Sequence, residues 1–150
     1  MMVQRRGLLR GAAALLLAGL LKPMAALAAA WNKDAFGSKS AADALKSLNT
    51  AGPQASNDIL IEAPQIAENG AVVPIEISSK IPGTTSIAVL VEKNPYPLVA
   101  KFDFMEGALP FVKVNTKMGE TSDVRVVATA GGKHYTAAKE IKVTIGGCGG

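Results

Sequence analysis

The sequence predicts an all-β protein: an immunoglobulin-like antiparallel sandwich of about seven short strands, with one helix before them. Three observations predict it. From residue 59 onward, apolar and polar residues alternate in short runs, as in Val73, Ile75 and Ile77 against Pro74, Glu76 and Ser78. Such period-two runs give a strand one buried face and one wet or partner-facing face. Turn residues recur between the runs at regular spacing, which is the rhythm of a sandwich. Only one stretch of the downstream chain has helical spacing, and it lies ahead of all the strands.

Residues 31–36 read as a lead-in. Residues 38–49 read as the helix: Ala41, Ala44, Leu45 and Leu48 fall on one face, and Ser40 with Asp43 makes a cap-and-N3 pair. Gly52-Pro53 marks residues 50–57 as a linker. Ile59-Leu60-Ile61 is a strand ended by Pro64, and Glu68-Asn69-Gly70 is a turn into a strand at 71–78. Pro74 cannot donate a ladder hydrogen bond, so that strand is expected at a sheet edge or bulged. Ile81-Pro82-Gly83 turns the chain into a strand at 85–92, and Asn94-Pro95-Tyr96-Pro97 is a stiff loop. Further strands are expected at 98–104, 110–115, 123–130 and 134–145, the last two joined as a tight hairpin by Gly131-Gly132. The antibody type of sandwich is excluded, because Trp31 precedes the strands and there is no cysteine pair.

The N-terminal 30 residues read as an export signal. Arg5-Arg6 precedes an apolar run from Gly11 to Leu21, followed by Ala26-Leu27-Ala28 and Ala28-Ala29-Ala30 as small-residue cleavage patterns. Paired arginines before a modest apolar stretch favour the twin-arginine route over an ordinary secretory signal. The stretch is short of the ~20 residues a membrane span needs, and Lys22-Pro23 interrupts it. The expected location is therefore the periplasm, with no membrane attachment after cleavage.

The charge belongs to that leader. Residues 1–30 hold Arg5, Arg6, Arg10 and Lys22 and no acid, so the chain's 16 basic residues fall to 12 downstream, against 12 acidic ones. A balanced domain gives no reason to expect nucleic acid or an anionic membrane as partner. The downstream chain suits one domain, residues 31–145, followed by an arm at 146–150.

That arm, Gly146-Gly147-Cys148-Gly149-Gly150, holds the only cysteine of the chain. A single cysteine in an exported protein points to an intermolecular bond or to a thiol with a task. Gly146, Gly147, Gly149 and Gly150 leave Cys148 unrestrained and make the arm thin enough for a narrow channel. No neighbouring Lys or Arg activates the thiol, so activation is expected from whatever engulfs the arm. Lys139 and Lys142 belong to the preceding strand. Four other readings compete: an incidental cysteine in a disordered end, a prenylation box, a ubiquitin-like sulfur carrier activated at its carboxylate, and a crosslink between two copies. The prenylation box needs the cysteine one position earlier, and the ubiquitin-like carriers have no export signal.

Enzyme chemistry needs converging groups, and the chain shows none. It has one histidine, His134, beside the hairpin turn, where an exposed strand residue is expected rather than a catalytic base. A nucleophile on a glycine tether is not held in productive geometry. No metal-ligand cluster, phosphate loop or haem-attachment motif is present, so no cofactor or metal is expected.

The chain resembles the SoxY carrier subunits of the periplasmic sulfur-oxidising (Sox) systems. The resemblance is carried by the leader, the segment from Trp31 to Leu48, and Ala63-Pro64-Gln65-Ile66-Ala67-Glu68-Asn69-Gly70-Ala71. It continues through Val91-Glu92-Lys93-Asn94-Pro95, Lys117-Met118-Gly119 and Val143 to Gly150. It implies that Cys148 carries thiosulfate-derived sulfur covalently and that the protein is not itself an enzyme. It implies pairing with a SoxZ-like subunit, loading by a SoxAX-like c-type cytochrome, and processing by a SoxB-like hydrolase and, in some systems, a SoxCD-like sulfane dehydrogenase. The strand at 71–78 and the apolar lead-in are candidate pairing surfaces. The rival reading is an exported structural module crosslinked through Cys148.

Overall fold

The computed structural model describes residues 31–144. The expected export signal at 1–30 and the expected arm at 146–150 lie outside the described residues, as does Ile145, the expected last residue of the final strand.

The described residues open with two short helices, α1 (Lys33–Gly37) and α2 (Ala41–Ser47). The lead-in is thus itself helical, a correction to the sequence reading. Asn32 explains why so short a helix forms. Its side chain accepts from Ala35 N at 3.0 Å and donates to Ser47 O at 2.9 Å, capping α1 and tying it to the end of α2. The Ser40 cap on α2 is as expected, with Asp43 N donating to Ser40 Oγ at 3.1 Å. Beyond α2, Asn49 takes a left-handed φ of 56° and Thr50 N bonds back to Leu45 O at 2.8 Å, which ends the helix.

The strands follow: β1 (Gln54–Ala55), β2 (Ile59–Glu62), β3 (Ile66–Ala67), β4 (Val73–Ser79), β5 (Thr84–Val91), β6 (Leu98–Asp103), β7 (Phe111–Thr116), β8 (Ser122–Ala130) and β9 (Lys133–Val143). One sheet runs β2-β4-β7 and the other β9-β8-β5-β6, the strand arrangement of an immunoglobulin-like sandwich. Two strands were not foreseen. β1 lies in the presumed linker, and both β1 and β3 pair with β9 in parallel, at Gln54↔Tyr135 and Ile66↔Lys142. Two-residue strands have no period to read, and a parallel partner cannot be a hairpin neighbour.

The expectation for Pro74 is also corrected. β4 is the central strand of its sheet, not an edge. β2 reaches only as far as Glu62 opposite Glu76, so at Pro74 the sheet is open on that side and β7 alone pairs, at Asn115. The missing N–H disrupts no three-strand ladder there.

Burial follows the alternation. Ile75, Ile77, Ile87, Val89, Val91, Val124, Val126 and Ile141 fill the space between the sheets. On β5 the other face is apolar too, and the helices explain it: Ala88 and Leu90, with Val127 of β8 and Leu98, pack under Ala35, Ala44 and Leu45. Each fully buried Ile or Leu contributes about 1.5–3 kcal/mol. The outward face of β4 is wet, with Glu76 paired to Lys113 of β7.

Candidate functional site

The arm's chemistry begins where β9 ends, and the structure defines that exit closely. β8 pairs with β9 only as far as Ser122↔Ile141. Beyond it, the last residues are held by other segments. Lys142 N donates to Gln65 O at 2.9 Å and Thr144 N to Ala67 O at 3.2 Å. Val143 N donates to Thr121 Oγ1 at 3.0 Å. β3 and Thr121 therefore act as a clamp on both flanks of the exit.

The same end of the sandwich gathers segments far apart in the chain. Met118 N donates to Gly70 O at 2.7 Å, which joins the β7–β8 connection to the β3–β4 turn. Asn94 Nδ2 donates to Lys117 O at 2.7 Å, and Lys93 N to Ser122 Oγ at 3.1 Å. Met118 is wholly buried in the inter-sheet core. The stretches 63–71, 91–95, 117–119 and 143–144 thus meet at one end, around the root of the arm. Sequence reading singled them out separately; their convergence is visible only in three dimensions.

Several charges at this end are engaged. Arg125 pairs with Glu92. Lys139 points inward and donates to Ala63 O at 2.9 Å, fastening β9 to the chain beyond β2, so its ammonium serves the fold. The Lys39 ammonium lies 3.5 Å from the centroid of the Tyr96 ring, and its hydrogen bond and then its charge hold the phenol below its ordinary pKa. That contact ties the start of the α2 region to the loop at 92–97.

Each candidate residue can now be placed. Cys148 and its glycines Gly146, Gly147, Gly149 and Gly150 lie outside the described residues. Cys148 follows Thr144 by four residues. His134 sits at the opposite end of β9, where its Nδ1 lies 3.1 Å from Thr129 Oγ1. From His134 to Thr144 the strand runs about 33 Å at roughly 3.3 Å per residue. Four extended residues span at most about 14 Å. A Cys148–His134 dyad within one chain is therefore out of reach. Among the described residues, no three His, Cys, Asp or Glu side chains cluster as metal ligands. No helix among them is long and apolar enough to cross a membrane.

Two exposed apolar residues lie at the exit end: Ile66, to which the sequence assigned no role, and Val72, in the strand expected as a pairing surface. Ile66 and Val72 are 56% and 54% exposed although apolar. A cleft of about 330 Å³ lies beside Ile66, lined by Gln65, Ile66, Glu140 and Lys142. The available signal was the 63–71 stretch itself, which includes Gln65 and Ile66.

Comparison with known proteins agrees with this geometry. The family model described as "Sulfur oxidation protein SoxY" matches residues 45–148, a span that includes Cys148. The solved structure of the sulfur carrier protein SoxY from Chlorobium limicola f thiosulfatophilum is 42% identical. It covers 69% of this chain and 96% of its own, with a TM-score of 0.62. A superoxide reductase (neelaredoxin) from Ignicoccus hospitalis is 19% identical, covers 59% of this chain and 81% of its own, and has a TM-score of 0.52. At that identity it shares the fold alone. No curated protein matches the chain. A clamped strand leading to a single cysteine, a match that runs through that cysteine and a solved relative at 42% identity together place this chain in the SoxY family of sulfur oxidation proteins.

Proposed function

We propose that this protein is a periplasmic carrier that holds thiosulfate-derived sulfur covalently on Cys148 and presents it to separate enzymes, without being an enzyme itself. The observation that carries the reading is the family match extending to residue 148, where the only cysteine of the chain stands. The exit clamp supports it, since β9 delivers the arm from a fixed point.

The chemistry balances as follows. Loading joins the Cys148 sulfur to the outer sulfur of thiosulfate. The thiol loses its proton, and two electrons pass to a c-type cytochrome partner, giving an S-thiosulfonate. Water then cleaves the terminal sulfone, releasing sulfate and leaving a persulfide on Cys148. An S–S bond suits a carrier because it is made by oxidation and broken by hydrolysis or exchange. A SoxZ-like subunit, a SoxAX-like cytochrome, a SoxB-like hydrolase and a SoxCD-like dehydrogenase are the partners this reading calls for. The Arg5-Arg6 leader supports export of the folded chain by the twin-arginine route.

The decisive experiment is intact mass spectrometry of protein from thiosulfate-grown cells, before and after reductant. The expected result is reductant-labile adducts of sulfur or thiosulfate on the C-terminal peptide, absent from Cys148→Ser. A thiol found only free, or only as a disulfide between two copies, would establish the crosslinked structural module instead. Replacing Arg5-Arg6 by Lys-Lys should leave the protein in the cytoplasm, as cell fractionation would show.

A further inference from the structure

Resting on the carrier reading, we propose that the collar around the arm exit, formed by Gln65, Ile66 and Val72 with Glu140 and Lys142, is where an enzyme acting on Cys148 seats the mouth of its active-site channel. The argument starts from reach. β9 is clamped as far as Thr144 by bonds to Ala67, Gln65 and Thr121. Cys148 stands four residues further, so its Cα travels no more than about 14 Å from the exit. An active site buried at such a depth brings its rim against whatever surrounds the exit. The arm is too short to serve an enzyme held elsewhere on the domain.

The collar has the character of a docking surface. Ile66 and Val72 lie at either end of the short segment that passes the exit, and both are more than half exposed. Ile66 lies opposite Lys142 in the β3–β9 pairing and shares its cleft with Lys142 and Glu140. Among the described residues, neither of those charges has an ion-pair partner, unlike Arg125, Lys113 or Lys101. An apolar centre with one free charge of each sign at its edge suits an enzyme rim with an apolar contact and complementary charges. Another exposed apolar patch, at Met105 and Leu109, is excluded for this task. Phe104 N bonds to Thr85 O, and Thr84 lies opposite Ala130, so the patch sits at the hairpin end of β9, about 30 Å from the exit.

The test is steady-state loading of the carrier, purified with its pairing subunit, by the thiosulfate-oxidising cytochrome of the same cells. Ile66→Asp and Val72→Asp are compared with wild type and with Leu109→Asp. Alkylation of Cys148 by a small maleimide and thermal melting are followed in parallel. The expected result is that Ile66→Asp and Val72→Asp each raise KM for the carrier about tenfold, as loss of a central apolar anchor does. The kcat, alkylation rate and melting temperature stay near wild type, and Leu109→Asp changes nothing. An unchanged KM in both collar variants overturns the proposal, as does a KM increase in Leu109→Asp alone. A rise in KM accompanied by slower alkylation also overturns it, because the variant then acts through the arm. If wild type itself accepts no sulfur, the carrier reading fails first, and the wild-type control separates that outcome from failure of the collar.

Discussion

The two ends of the sandwich are built differently. At the arm end, hydrogen bonds join distant segments: Asn94 to Lys117 across 23 residues, Lys93 to Ser122 across 29, and Val143 to Thr121 across 22. At the hairpin end, turn residues bond among themselves, Ser79 Oγ to Thr84 Oγ1 across five residues and Thr84 Oγ1 to Ile81 O across three, beside one long-range side-chain bond, Thr85 Oγ1 to Thr129 O across 44. That end also exposes Met105 and Leu109, and a groove of about 560 Å³ runs between the β4–β5 turn and the loop after β6. The difference teaches where position matters. At the arm end three long-range bonds lie around the exit of β9, whereas at the hairpin end one such bond stands beside local turn bonds, and bonds between distant segments hold a position better than local turns do.

The comparison can be broken by unequal responses at the two ends. The largest effect is expected at the arm end, from Met118→Ala. Met118 is fully buried between the sheets and anchors the chain that meets Gly70. Its truncation should cost about 2–5 kcal/mol in denaturant unfolding. A loss within experimental error would show that this end is not pinned through its core. Next comes Gly131→Val at the hairpin end. Gly131 and Gly132 have φ of 56° and 73°, the two left-handed positions of a tight hairpin turn. An L side chain at Gly131 should cost about 1–2 kcal/mol in melting experiments, through backbone conformation alone, since a Cβ there meets no neighbour.

Thr121→Ala sharpens the comparison further. It removes the acceptor of Val143 N and should destabilise the fold by about 1 kcal/mol. Its clearer signature is faster hydrogen exchange at Val143 and Thr144, with the β8–β9 ladder unchanged. Equal protection in the variant would show that β3 alone clamps the exit. The smallest effect is expected from Leu109→Ala. At 83% exposure it should move stability by no more than about 0.5 kcal/mol.

Much of the fold was legible. β4, β5 and β8 announce themselves because each buries a strict alternate set between the sheets. The Ser40 cap and the Gly131-Gly132 turn work through neighbours a few residues away, so local sequence is enough to find them. Residues 31–37 were harder. The α1 cap depends on Asn32 reaching Ser47, fifteen residues on, which no local pattern announces. Pro74 misled for a similar reason: its tolerance depends on where β2 stops, not on its own strand. At the site, Cys148 was conspicuous as the only thiol between glycines. Ile66 and Val72 were not, because an exposed apolar residue differs from a buried one only once its surroundings are known.

By itself, the sequence determined the class of the fold, the helix cap, the hairpin turn and the position of the one cysteine. All of these rest on residue type and short spacing, which the chain carries along its length. Only the tertiary structure decided that β1 and β3 run parallel to β9, that β4 is central, and that Gly70, Asn94, Met118 and Thr144 meet around one exit. Those facts depend on contacts between residues far apart in the chain, and loop closure brings such partners together at a cost that no local pattern records.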